Sequence, residues 1–212
     1  MVILLGAPGS GKGTQSRLLA QNDGYKIFAL GEMLRAEIAN ETENGKRIAA
    51  SLARGEFADL DIVVSLLRQH VPSSNYVLDG FPRNTQQIVE FENFVNEHDQ
   101  LTFEDIVVVD FIVPIEVLKA RLKQRRICKM CDAALMVDEK ECKFCGHVCH
   151  DAYVRDDDSN AQAVARRLEI FEREREWLVK CYSQKGIYHA IDATLSVEEV
   201  YAKLKQVISG SL

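Results

Sequence analysis

Short apolar runs alternate with longer segments of helical spacing along most of this 212-residue chain. The runs at 2–5, 25–30, 76–78, 106–113 and 186–191 carry few polar positions, the pattern of strands buried on both faces of a parallel sheet. Between them, apolar positions recur at intervals of three and four. This spacing predicts helices over 13–21, 31–39, 59–70, 84–96, 114–126, 159–183 and 196–208. Strand and helix in alternation predict an α/β fold, three layers deep, around a central parallel sheet. Two stretches interrupt the alternation. Residues 30–57 carry more helical pattern than one crossover needs, and 128–155 form a turn-rich insert dense in cysteine. Both are read as small subdomains hung on a single domain of 212 residues, with bounds at 30–58 and 122–158.

Composition narrows the class. Apolar residues make up 47% of the chain and charged ones 27%, as in ordinary globular enzymes. A net charge of -6 argues against a protein whose work is to lie along nucleic acid, where lysine and arginine must neutralise phosphates. The opening MVILLG lacks the basic flank and cleavage site of an export signal, and no apolar run is long enough to span a bilayer. The expectation is a cytoplasmic protein without a membrane partner. In that compartment disulfides are disfavoured, so the five cysteines between 128 and 149 point to a metal.

Directly after the first strand comes GAPGSGKGT, Gly6 to Thr14, a phosphate-binding P-loop with Gly6, Gly11 and Lys12 in register. Glycines let successive backbone N–H groups converge on phosphate oxygens, the next helix offers its positive end, and Lys12 adds a charge beside the β- and γ-phosphates. Gly13 stands where most such loops place a magnesium-binding hydroxyl; Thr14 follows it.

The GKGT ending after GAPG resembles the adenylate kinases and their nucleoside monophosphate kinase relatives. The resemblance extends over most of the chain and implies that Gly9, Ser10, Gly11, Lys12, Gly13 and Thr14 hold ATP. LDGFPRNTQQ, 78–87, is similar to the family's DGFPR segment. It implies that Asp79 holds Mg²⁺ through water, that Gly80, Phe81 and Pro82 border the acceptor, that Arg83 grips its phosphate and that Gln87 pairs with adenine. ALGEMLR, 29–35, resembles the start of the monophosphate-binding arm, with Arg35 as a second acceptor-phosphate ligand. Leu30 replaces the family's usual threonine at the base, and Glu56, Phe57 and Ala58 match its backbone contacts to the base. Asn84 also resembles the uridylate-cytidylate kinases, whereas Gln87 does not.

Arginine forks suit phosphoryl transfer, which needs charge stabilisation more than covalent help. Arg121 and Arg125 are four apart and share a helix face. The resemblance implies that Arg121 stacks on the ATP base and Arg125 meets its phosphates. VRDDDSNAQAVARRL adds Arg155 and Arg167 as phosphate ligands; because Asp158 and Arg167 are one residue further apart than in the family, Arg166 stays an alternative.

Cys128-Lys-Met-Cys131 and Cys142-Lys-Phe-Cys145 are two CxxC pairs ten residues apart, able to close a tetrahedral structural zinc site. His147, Cys149 and His150 crowd the second pair and could exchange for a ligand; an iron centre would use the same sulfur geometry. Zinc-containing adenylate kinases carry their metal in this same lid. The expected activity is transfer of the γ-phosphoryl group from ATP·Mg²⁺ to AMP, by a monomer, with Lys12, Arg83, Arg125, Arg155 and Arg167 catalytic. Alternatives are a UMP/CMP kinase and a zinc-bearing P-loop ATPase that binds nucleic acid.

Overall fold

The computed structural model describes residues 1–53, 57–71, 75–97, 101–136 and 138–211. Five parallel strands, β1 (Val2–Leu5), β2 (Lys26–Ala29), β3 (Tyr76–Asp79), β4 (Val107–Ile112) and β7 (Tyr188–Asp192), form one sheet in the order β2-β3-β1-β4-β7. β1 is buried at all four positions, which is why its run shows no alternation. Alternate residues of β1 and β4 feed two separate cores. Ile3, Leu5 and Val108 join Phe28, Phe81 and Phe91 on one face; Val2, Leu4, Val107 and Val109 meet Leu19, Leu204 and Ile208 on the other.

Helices cover both faces. α1 (Lys12–Asp23) and α9 (Val197–Ser211) supply one layer. The opposite layer holds α4 (Leu60–His70), α5 (Thr85–Asn96) and α8 (Ala161–Gln184), whose Leu67, Phe94 and Tyr182 are wholly or almost wholly buried. This is the expected three-layer α/β architecture. From β1 the chain passes to β2 and β3 on one side, and later to β4 and β7 on the other. The carboxyl end of β1 is therefore a topological switch point, the place where open parallel sheets leave a crevice for ligands.

Local chemistry sets the remaining boundaries. The expected strand at 25–30 stops at Ala29, and Leu30 instead opens α2 (Leu30–Ala39), followed by α3 (Glu43–Ala53), the second helix of that stretch. The long helix predicted over 159–183 is α8, which starts two residues later because the Asn160 side chain accepts hydrogen bonds from the Gln162 and Ala163 amides; the short α7 (Asp156–Ser159) precedes it. α6 (Ile115–Gln124) leads into the insert, where β5 (Arg126–Ile127) and β6 (Ala134–Leu135) pair antiparallel.

Candidate active site and metal centre

The loop after β1 is shaped by glycine. Gly6, Gly9 and Gly11 have φ of 141°, 86° and 99°. A Cβ on Gly6 would stand 2.6 Å from Ser10 Oγ and 3.1 Å from Phe111 Cβ, so the chain passes there only without a side chain. No side chain caps the N-terminus of α1. Its first amides face the loop, the arrangement that suits an anion. Lys12 donates to Gly6 O at 2.6 Å and Ala7 O at 3.0 Å. Burial pulls its ammonium down to about 8, with Asp79 and Asp110 opposing and Arg83 and Arg125 assisting.

Asp79, at the carboxyl end of β3, lies beside the loop: its Oδ2 is 3.4 Å from the position of a Cβ on Gly13. A Cβ at 13 would meet that carboxylate in ordinary van der Waals contact. Gly80 is in the left-handed region, φ 79°, and any Cβ on it would run into the Arg83 guanidinium. Arg83 Nε donates to Gly80 O. Arg35 Nη1 and Arg83 Nη2 both reach over Gly31, 3.3 and 3.7 Å from where its Cβ would be. Arg83 contacts solvent yet lies on the cleft floor, where desolvation holds it below the usual arginine value.

The residues expected at the acceptor base are placed unevenly. Gln87 is 2% exposed, and its Oε1 accepts the Arg83 amide at 2.8 Å. Asn84 caps α5, accepting the Gln87 amide at 2.9 Å. That capping role accounts for Asn84 without a pyrimidine. Leu30 is 2% exposed and packs in the core with Phe28, two residues before it, and Phe81. Phe57 is half-buried, Ala58 is buried in the same core, and Pro82 follows Phe81 through a cis peptide. Glu56 lies outside the described residues. Gly13, Asp79, Glu32 and Met33 line a small cavity between α1, β2 and α2.

Asp158 organises the opposite wall. Its side chain is fully buried and holds two arginines: Arg125 donates through Nε at 2.8 Å and Nη2 at 2.5 Å, and Arg167 Nη1 at 3.0 Å. Arg167 also pairs with Asp157 Oδ2 at 2.8 Å. Arg155 is partly buried with an unpartnered Nε, and it is depressed by burial and by Arg35. Arg121 lies apart from this group, nearer Asp192. One cleft thus gathers Lys12, Arg35, Arg83, Arg125, Arg155 and Arg167 against Asp79, Asp157 and Asp158. Such an excess of fixed cations suits polyphosphate and little else. The organising role of Asp158 is not legible in the sequence, since an aspartate run also reads as a solvated helix start.

The Sγ atoms of Cys128, Cys131, Cys142 and Cys145 lie within 4.8 Å of one another, with 128–145 at 3.7 Å and 131–142 at 3.6 Å. Tetrahedral zinc with Zn–S near 2.3 Å separates sulfurs by about 3.8 Å, so the four fit that ion. Burial opposes ionisation of Cys128, but the Met130 and Cys131 amides overcome it and favour thiolate. Two of the candidate substitutes have partners outside the four: His147 Nε2 meets Asp151 Oδ1 at 2.8 Å, and Cys149 Sγ donates to His147 O. The core of the insert consists largely of Cys128, Cys142 and Cys149 with Ala133 and Leu135. So small an apolar cluster is of the kind that a bound metal commonly reinforces. Phe144, between the second pair, sits 6.0 Å from the Arg17 guanidinium, which also bridges to Glu32 at 2.9 Å. The insert therefore rests on α1 and, through it, on α2.

A family model described as adenylate kinase matches residues 4–187. An adenylate kinase of Thermococcus onnurineus is 30% identical over 212 residues, covering 98% of this chain and 93% of its own length. One from Thermodesulfovibrio yellowstonii is 30% identical, covering 98% of both chains. A third, from Bacillus pumilus, is 30% identical over 223 residues, covering 99% of this chain and 98% of its own. No helix among the described residues is long and apolar enough to cross a membrane.

Proposed function

The chain belongs to the adenylate kinase family, and we propose on that premise how its cleft moves the γ-phosphoryl group of ATP to AMP, yielding two ADP. The observation that carries the reading is the convergence of Lys12, Arg83, Arg125 and Arg167 at the switch point, with Asp158 holding two of them from behind. The ATP phosphates lie in the loop from Gly9 to Thr14, against the amides of α1. Arg35 and Arg83 hold the AMP phosphate from the acceptor side. An AMP phosphate oxygen attacks the γ-phosphorus in line, the bond to the β,γ-bridging oxygen breaks, and ADP leaves with that electron pair. No side chain forms a bond to phosphorus. Lys12, Arg125, Arg155 and Arg167 stabilise charge as it spreads over the transferred group. Asp79, facing Gly13, would hold Mg²⁺ through water, and the ion would neutralise phosphate charge. Residues 30–58 serve as the acceptor arm and 122–158 as the lid, and their closure excludes the water that would otherwise hydrolyse ATP. The alignments run through the lid as well as the loop, which favours a kinase over a nucleic-acid ATPase.

A panel of AMP, dAMP, UMP, CMP and GMP with ATP·Mg²⁺ is the test. AMP is expected to react at least about tenfold faster in kcat/KM than either pyrimidine, since a Gln87 pairing to the base is left unmade by the wrong one. Equal rates for UMP would overturn the acceptor assignment. Cys128, Cys131, Cys142 and Cys145 take one structural zinc ion. Metal analysis should return one zinc per chain, and Cys142→Ser or chelation should open 128–150 to protease while the sheet still melts cooperatively. A chelated protein with an intact, protease-resistant insert would remove zinc from its role.

A further inference from the structure

β4 carries one charge in an otherwise apolar buried run. Asp110 is 0% exposed, and its Oδ2 accepts Arg175 Nε at 2.9 Å, Arg175 Nη2 at 2.7 Å and the Tyr188 hydroxyl at 3.0 Å. Oδ1 has no protein partner. Burying such a group costs desolvation, and an ion pair in this setting is at best about neutral against apolar residues of the same volume. Stability alone therefore does not account for it.

Its position does. In the β1–β4 ladder Asp110 is the partner of Leu5, the residue directly before the phosphate loop, and the adjoining Phe111 packs against Gly6. Gly6 O is the carbonyl that Lys12 Nζ contacts at 2.6 Å. The charged groups acting on Lys12 come from every side: Asp79 on β3, Arg83 in the turn after it, Arg125 at the end of α6, and Asp110 on β4. Two guanidiniums and burial work against the ammonium, and the carboxylates of Asp79 and Asp110 support it. Asp79 borders the substrate cleft, whereas Asp110 stands behind the loop, within the sheet.

We propose that Asp110 is a positioning residue for the phosphate donor: with Arg175 and Tyr188 as its splint, it sets a fixed negative charge behind the loop that holds the Lys12 ammonium at the loop mouth. Arg175 pairs with Asp110 in the interior, and the Tyr188 hydroxyl, pushed up to about 12 by burial and by Asp110, stays a donor throughout the working range. The inference rests on the assignment of the loop to the ATP phosphates.

The test is the pH dependence of kcat/KM for ATP, at saturating AMP, on full-length metal-loaded enzyme. This quantity reports ionisations of the form that meets ATP. Lys12 must be protonated, so losing a nearby negative charge brings the alkaline limb to lower pH and losing a nearby positive one takes it higher. Asp110→Asn is expected to shift the limb down by about half to one pH unit. Arg175→Met, which removes the cation paired with Asp110, should shift it up. A general loss of fold lowers activity at every pH and cannot move the limb in opposite directions. Limbs that stay at the wild-type pH in both variants, or move the same way, would overturn the proposal and leave the network a packing device. Should Asp110→Asn fail to fold, the upward shift in Arg175→Met decides alone. Unaltered enzyme that transfers nothing from ATP to AMP would instead sink the functional reading, before any variant is made.

Discussion

Lys12→Ala is expected to lower kcat on the order of 10²- to 10³-fold while the protein melts within a few degrees of the parent, as for other donors aimed at charge that develops in the transition state. The fold has little stake in this side chain: its bonds are to Gly6 O, Ala7 O and Ser10 Oγ, all within the loop it serves. Its ammonium is held below its ordinary value by burial and by the arginines around it. Deleting it removes a desolvated charge from the folded state, so any stability change should be small. Steady-state kinetics with ATP and AMP, beside a thermal melt, separate the two effects. Near-normal turnover would sink the catalytic assignment, and a collapsed melting transition would show the loop to depend on Lys12 for its shape.

Asp158→Asn is the second large effect. The carboxylate makes three bonds to two guanidiniums and is completely buried, while Arg125 and Arg167 are 16% and 31% exposed. The amide can accept at one oxygen but carries no charge, and its NH₂ faces donors. Breaking a buried pair costs about 3–5 kcal/mol in closed interiors; with both arginines in contact with solvent, about 2 kcal/mol is the expected loss here. Turnover should fall by about one to two orders of magnitude, because guanidiniums misplaced by about 1 Å lose much of their worth. Affinity for ATP should not fall with it, since the cleft becomes more positive. A raised KM with unchanged kcat would contradict the view that Asp158 orients groups used in the transition state.

The two variants test different kinds of residue, and they differ in how visible they were in the chain. Lys12 was legible because its neighbours in space are its neighbours in sequence: strand, glycine turn, lysine and helix follow one another, and the loop closes on itself. The CxxC pairs were legible for the same reason, each presenting two thiols from one turn. Asp158 was not, because its meaning depends on Arg125, 33 residues earlier, and on a helix that starts afresh at Asn160.

The sequence by itself therefore determined the parallel α/β architecture, the phosphate loop, the arginine forks and the cysteine set, all of them properties of local spacing and of burial on both faces of a sheet. Only the tertiary structure decided which of those charges meet. Strand order brings Asp79 and Asp110 to either side of β1, although the three strands are far apart in the chain. Packing against Phe28 and Phe81 takes Leu30 into the core, and Asn84 is spent on capping α5. The physical reason is common to these cases. Backbone pattern is written over three to four residues, whereas the balance of buried charge is settled by whatever long-range packing places within a few ångströms.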